Sequence, residues 1–209
     1  MLNTLRPALN RILVPAGQAL ARTPLTPNAI TIIGTVGVSA SALALYPDGE
    51  LFWGSFSCTI FVLLDMLDGA LARVKGTSGT FGAFLDSTLD RIADAAIFSG
   101  LVFYFVLHGH GTNDRVLLGV TLFCLVAGAL VSYAKARAEG LGLRCDVGIA
   151  ERPERTIIGL TAAGLSGLGV PYVLAIGLWL LAALSAITFG QRVVAVRRAA
   201  AAEAAGGGQ

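Results

Sequence analysis

Long apolar stretches alternate with short polar breaks along most of this chain. The first runs from about Asn28 to Tyr46, the second from Leu51 to Arg73, the third from Phe81 to Leu107 and the fourth from Arg115 to Glu139. A fifth and a sixth, about 153–170 and 171–198, meet at Gly164 to Pro171. Each approaches or exceeds the roughly 20 residues that a helix needs to cross a bilayer. The breaks carry turn chemistry, as in Pro47-Asp48-Gly49-Glu50 and in Val74-Lys75-Gly76-Thr77-Ser78-Gly79-Thr80. Residues 1–25 differ: Leu2, Leu5, Leu9, Ile12, Leu13 and Leu20 fall at helical spacing, with Arg6, Arg11 and Arg22 between them. That run is too short and too polar to span, and it predicts an amphipathic helix in the membrane interface, kinked or ended by Pro15. The pattern predicts an all-α integral membrane protein of six transmembrane helices plus this interfacial helix. Residues 199–209 form an Ala- and Gly-rich tail, expected to be flexible.

Composition sharpens this picture. With 55% hydrophobic and 13% charged residues and a mean hydropathy of +0.75, an ordinary soluble domain is excluded. The formal charge of +2 matters less than where the cations sit. Of the 15 Lys and Arg, 13 fall at the N-terminus, the second-to-third turn, the region around the fourth-to-fifth loop and the C-terminal end. The opposite loops hold only Arg115, and Arg91 lies within a span. This alternation predicts six crossings of the plasma membrane with both termini cytoplasmic. The partner it demands is bilayer lipid, and no feature calls for nucleic acid. Cys58, Cys124 and Cys145 show no disulfide or zinc spacing. His108 and His110 share a short loop and read as a solvated pair. The N-terminus, interrupted by Pro7 and Pro15, does not read as a removable signal peptide.

Four carboxylates lie in or beside these apolar runs, spaced Asp65-x2-Asp68-Gly69-x2-Ala72-Arg73-x8-Gly82-x3-Asp86-x3-Asp90. A carboxylate at mid-bilayer costs roughly 2.5–3.5 kcal/mol on insertion scales, so four together need a cation or a polar cavity. Asp65 and Asp68 are three apart and Asp86 and Asp90 four apart, so each pair shares one helix face. Two antiparallel helices joined by the 74–80 turn could point all four into one space. Hard divalent cations prefer such oxygen ligands, and a pair of them can clamp a phosphoryl group. The bland alternative is a polar knot that only ties helices together. Gly69 and Gly82 serve either close helix packing or space for a ligand. Asp94 extends the Asp86–Asp90 face by one turn, supporting the other carboxylates or pairing with Arg91.

The string Asp65-Met66-Leu67-Asp68-Gly69-Ala70-Leu71-Ala72-Arg73 through Asp90 resembles the signature of the CDP-alcohol phosphotransferases. Thr26-Pro27-Asn28-Ala29-Ile30-Thr31, Ser132-Tyr133-Ala134-Lys135-Ala136-Arg137-Ala138-Glu139 and Glu151-Arg152-Pro153-Glu154-Arg155 extend the likeness to the actinobacterial phosphatidylinositol phosphate synthases within that family. It covers nearly the whole chain and makes residues 26–198 the membrane domain. The resemblance implies that Asp65, Asp68, Asp86 and Asp90 bind divalent metal, two Mg²⁺ ions with Mn²⁺ as the alternative, and that Asp90 is also the general base. It implies that Asn28, Ala29, Ile30, Thr31, Asp68, Gly69, Ala72, Arg73, Ser78, Gly79 and Gly82 bind CDP-diacylglycerol. Asn28 and Thr31 could otherwise only cap the first span, and Arg73 could otherwise snorkel to headgroups.

A second set, Ser132, Lys135, Arg137, Arg152, Arg155 and Arg192, is implied to bind the phosphate of inositol phosphate. The positive-inside rule alone explains several of these cations, but not Ser132, which lies just inside the fourth span with Lys135 on its face. The implied reaction transfers a phosphatidyl group from CDP-diacylglycerol to 1D-myo-inositol 3-phosphate with release of CMP, on the cytoplasmic side, in a homodimer. Two alternatives stand beside it. One is a phosphatidylglycerophosphate synthase or other family enzyme using serine or free inositol; a basic pocket disfavours the last two. The other is a cation or proton transporter, which would want polar residues in the outer half as well.

Overall fold

The structure, a computed structural model, describes residue 15, residues 18–77 and residues 79–206. Among the described residues the long elements are all helices: α1 (Pro27–Leu45), α2 (Leu51–Lys75), α3 (Thr80–His108), α4 (Thr112–Glu139), α5 (Arg152–Gly167) and α6 (Val173–Gly206). The first four match the apolar runs within a few residues. α1 starts where Thr26 accepts the Ala29 amide at 3.2 Å and Pro27 supplies a first-turn residue that needs no amide partner. α2 stops where Gly76 enters the left-handed region at φ 63°, a conformation that costs other residues about 1–2 kcal/mol. The expected interfacial helix falls mostly outside the described residues, though residues 18–21 are helical.

Five helices, all but α5, are long and apolar enough to cross a membrane. Many of their large apolar side chains face outward, among them Ile32, Val36, Ile60, Phe103, Val126, Ile176 and Leu180. In water such a surface would be a liability; in lipid it is the expected one, because helices satisfy their own backbone groups. The protein is therefore an integral membrane protein. Phe52, Trp53 and Phe56 cluster at the start of α2, with ring centroids 5.1 Å apart for the first pair and 6.1 Å for the other two, like the aromatic belts of membrane interfaces.

The chain divides into two compact units, Met1–Tyr104 and Phe105–Gln209. In the first, α1 and α2 form an antiparallel hairpin. Thr31 meets Asp68, Gly34 meets Asp65, Val38 meets Cys58 and Tyr46 meets Ser55 at 2.9 Å. α3 runs parallel to α1, touching it at Asn28 and Gly82 and again at Ala42 and Gly100. At Gly100 a Cβ would lie 2.4 Å from the Ala42 carbonyl oxygen. Only glycine permits that approach. Lys75 secures the entry to α1, donating to the carbonyls of Thr23 at 3.1 Å and Leu25 at 2.7 Å.

In the second unit, α4 and α6 run parallel: the Cys124 thiol donates to the Leu178 carbonyl at 3.5 Å, and Arg192 reaches the Val131 carbonyl. α5 lies antiparallel to α6, with Gly177 against Ala162 and Arg192 against Glu151. The sequence pattern put the fifth span at about 153–170. The helix is shorter, because Leu168 ends it and Gly169 turns at φ 85°. α6 continues to Gly206 rather than ending near Arg198, so residues 199–206, expected as part of a flexible tail, are helical instead, because alanine has the highest helix propensity.

Candidate functional site: a three-carboxylate cluster beside a cleft

The α1–α2 hairpin and the start of α3 bring three aspartates together. Ligand atoms of Asp65, Asp68 and Asp86 all lie within 4.8 Å of one another. Asp65 is buried at 9% exposure, while Asp68 and Asp86 are half-buried. Three carboxylates at this spacing repel one another strongly in a low-dielectric setting. A divalent cation relieves that repulsion, and an all-oxygen donor set suits a hard ion. The residues present thus fit a divalent metal, and no partner nitrogen or sulfur ligand is part of the group.

Asp90, expected as the fourth ligand, is not in this group. It sits one helical turn further along α3 than Asp86, and its Oδ2 lies 3.5 Å from Arg91 Nη2. The physical reason is the pitch of about 5.4 Å per turn, which separates two carboxylates on one helix face unless both bend to a common point.

Asp68 is held at both oxygens. The Thr31 hydroxyl donates to Oδ2 at 2.6 Å, and the Gly69 amide donates to Oδ1. Asp65 fits because residue 34 has no side chain: a Cβ there would lie 3.0 Å from Asp65 Cβ and 3.2 Å from its Oδ1. Gly34 was not among the residues singled out from sequence. Its signal was present, since it lies three residues after Thr31 on the same face of α1.

A cleft of about 240 Å³ adjoins the cluster. Of the residues expected to bind CDP-diacylglycerol, Asn28, Thr31, Asp68, Gly69, Ala72, Arg73, Gly79 and Gly82 line it, together with Asp86. Pro27, Thr77 and Ala83 also line it and were not expected. Ala29 and Ile30 are not in the lining; Ile30 is buried at 2% exposure, in the core. Ser78 lies outside the described residues. The two readings of Gly69 and Gly82 are now separable. A Cβ at Gly69 would meet only Arg73 Nη1, at 3.9 Å, and one at Gly82 only Asn28 Oδ1, at 3.5 Å. Neither glycine is in tight helix contact. Both leave space in the cleft.

The residues expected to hold the acceptor phosphate all belong to the second unit. Arg155 and Arg192 are buried at 2% and 3% exposure. The Arg155 guanidinium lies against Gly128, about 3.5 Å from where a Cβ would stand. One turn on, the Ser132 hydroxyl donates to the Gly128 carbonyl at 3.0 Å. Lys135 is 3.2 Å from Asp146 and 3.9 Å from Glu139. Arg152 is half-buried and Arg137 exposed. Arg192 is more committed to the protein than its sequence position suggested. Its Nε donates to the Val147 carbonyl at 3.0 Å, its Nη1 to the Val131 carbonyl and its Nη2 to Glu151 Oε1 at 3.2 Å.

Membrane helices that converge three carboxylates beside a cleft with a cationic Arg73 define an integral membrane enzyme that handles an anionic ligand next to a divalent ion. The chain belongs to the CDP-alcohol phosphatidyltransferase family, whose sequence profile matches residues 24–196. It is similar to the phosphatidylinositol phosphate synthase of Streptomyces avermitilis, 47% identical over 203 residues, covering 94% of this chain and 82% of that relative. It is also similar to the phosphatidylinositol phosphate synthase of Mycobacterium tuberculosis, 49% identical over 191 residues, covering 90% of this chain and 87% of the relative. The crystal structure of the M. tuberculosis enzyme with CDP-DAG bound superposes with a TM-score of 0.83, covering 89% of this chain and 94% of that one. A second structure of it, with manganese and citrate, also gives 0.83, covering 88% of each chain.

Proposed function

We infer that this chain is a membrane transferase that moves the phosphatidyl group of CDP-diacylglycerol to 1D-myo-inositol 3-phosphate, forming phosphatidylinositol phosphate and releasing CMP. The observation that carries this is the three-carboxylate cluster opening onto a cleft lined by the family's motif residues. The relatives named above, at 47% and 49% identity over most of the chain, supply the acceptor.

In this scheme Asp65, Asp68 and Asp86 would hold the divalent ion, with Asp90, one turn further along α3, as the fourth ligand. When bound, Mg²⁺ or Mn²⁺, as one or two ions, supplies charge stabilisation on the phosphates. Arg73 pairs with the pyrophosphate through its planar fork. Asn28 and the gaps at Gly69 and Gly82 receive the cytidine side. Asp90 takes the proton from the acceptor hydroxyl, whose oxygen attacks the lipid-side phosphorus as CMP departs. Ser132, Lys135 and Arg155 bind the acceptor phosphate, with Arg137 and Arg152 contributing its wider cationic field. Arg192 uses three N–H groups on the protein and keeps two of its five.

The finer topology is six crossings with both termini and the site cytoplasmic, in a plasma-membrane homodimer. The parallel course of α4 and α6 supports six, because the chain must recross between them. The resemblance supports the dimer.

The test is incorporation of radiolabelled acceptor into lipid at fixed CDP-diacylglycerol. Inositol phosphate should react, and free inositol, serine and glycerol 3-phosphate should react poorly. Equal use of free inositol would reject the assignment, because free inositol cannot use the cations. Full turnover in excess chelator would reject the metal role.

A further inference from the structure

We propose that the inner face of α1 orients the divalent-ion site, with Thr31 acting as a positioning residue for the Asp68 carboxylate and Gly34 as the clearance that admits Asp65. This rests on the divalent-ion site proposed above and assigns Thr31 a duty different from contact with the nucleotide.

The geometry of Thr31 is specific. Its hydroxyl has one proton and two acceptors in reach, Asp68 Oδ2 at 2.6 Å and its own helix carbonyl at Pro27, 3.1 Å away. The shorter, charge-assisted contact takes the proton. Thr31 is buried at 3% exposure, so little bulk water competes for its hydroxyl. With the Gly69 amide on Oδ1, one donor fixes each oxygen of Asp68 and so fixes the carboxylate plane. Each oxygen keeps a further lone pair, and the group's ligand atoms lie within 4.8 Å of those of Asp65 and Asp86.

Three residues along the same face, Gly34 does for Asp65 by absence what Thr31 does for Asp68 by bonding. A methyl there would press on Asp65 Cβ at 3.0 Å, Asp65 Oδ1 at 3.2 Å and the Phe61 carbonyl at 3.3 Å. The last is backbone of α2 and cannot swing away, so α1 and α2 would have to part by a few tenths of an ångström or Asp65 to turn. α1 carries no carboxylate of its own, yet it sets the orientation of two of the three ligands.

Groups that orient metal ligands typically cost 10–100-fold in metal affinity when removed. The experiment is a titration of the purified, chelator-stripped full chain with Mn²⁺, read by loss of the free-ion electron paramagnetic resonance signal. The parent, Thr31→Val, Thr31→Ser, Gly34→Ala and a site-deficient Asp68→Asn are compared. Thr31→Val, nearly isosteric but without the donor, should weaken Mn²⁺ binding about tenfold, and Thr31→Ser should bind like the parent. Gly34→Ala should also weaken it. In turnover assays, raising Mn²⁺ should restore Thr31→Val at an unchanged KM for CDP-diacylglycerol. Parental Mn²⁺ affinity in Thr31→Val would overturn the proposal. So would equal weakening by valine and serine, which would mean packing rather than the hydroxyl matters. A raised CDP-diacylglycerol KM that added metal cannot correct would make Thr31 a nucleotide contact. A parent that binds no Mn²⁺ would instead reject the metal site itself.

Discussion

Gly69, Gly82 and Gly100 look alike in sequence, each a glycine in an apolar helix, but their surroundings separate them. Alanine at Gly69 meets only the end of Arg73, at 3.9 Å, and should gain up to about 1 kcal/mol of helix propensity. Alanine at Gly100 drives a methyl to 2.4 Å from the Ala42 carbonyl, where backbone must move. Gly69→Ala should therefore hold or raise the melting temperature and raise the KM for CDP-diacylglycerol. Gly100→Ala should lower the melting temperature. Thermal unfolding beside initial-rate kinetics checks both, and a Gly69→Ala variant with the parental KM would show that the cleft has room to spare. At this scale the sequence revealed the carboxylates, because a charge in an apolar run is costly and conspicuous. It hid Gly34, since a missing side chain shows its purpose only against the neighbour it admits. It also overstated the convergence of Asp90, because i,i+4 spacing gives a common face and not a common point.

Elements were legible where the apolar period was long and the turn chemistry unambiguous, as for α1 to α4. α5 was blurred, because Gly164, Gly167 and Gly169 could lie inside or beyond a helix, and only Leu168 and the left-handed Gly169 decide it. The connection between α4 and α5 is polar in composition, yet its Cys145 and Ala150 are buried at 1% and 0% exposure. What draws it in is α6: Thr188 accepts the Ala150 amide at 3.0 Å, and Arg192 fastens Val147 and Glu151 while also gripping Val131 of α4. Arg192 thus joins α4, the connection and α6. Charge-assisted hydrogen bonds are worth about 1.5–3 kcal/mol each, and 1 kcal/mol shifts a melting temperature by roughly 2–4 °C at this chain length. Arg192→Ala should therefore lose at least about 5 °C in a thermal scan, together with acceptor use. Exposed Arg137→Ala should leave the melting temperature unchanged. If Arg192→Ala raised only the acceptor KM, its part in holding the fold would be negligible.

Across the whole molecule, the solvent is what the sequence states most clearly. Mean hydropathy, span lengths and the placement of Lys and Arg all describe a chain dissolved in lipid, and its exposed Ile, Val, Phe and Leu agree. The number of crossings turns on α5. Its 16 residues extend about 24 Å at 1.5 Å per residue, less than the roughly 30 Å of hydrocarbon. Yet α4 and α6 are parallel, and two neighbouring parallel helices need the connection between them to recross. The short helix carries Glu151, Arg152 and Glu154 at its start and is followed by an apolar Leu168-Gly169-Val170 turn, so charge sits at one border only. Single cysteines test this directly, since Cys58, Cys124 and Cys145 are all buried and compete little for reagent. With six crossings, cysteines at Asp48, His110 and Val170 should react with an impermeant maleimide on intact cells, and those at Thr77 and Gly142 only after permeabilisation. With α5 lying on the cytoplasmic surface, Val170 would instead behave like Gly142, and the C-terminus would emerge on the opposite side from the second-to-third turn.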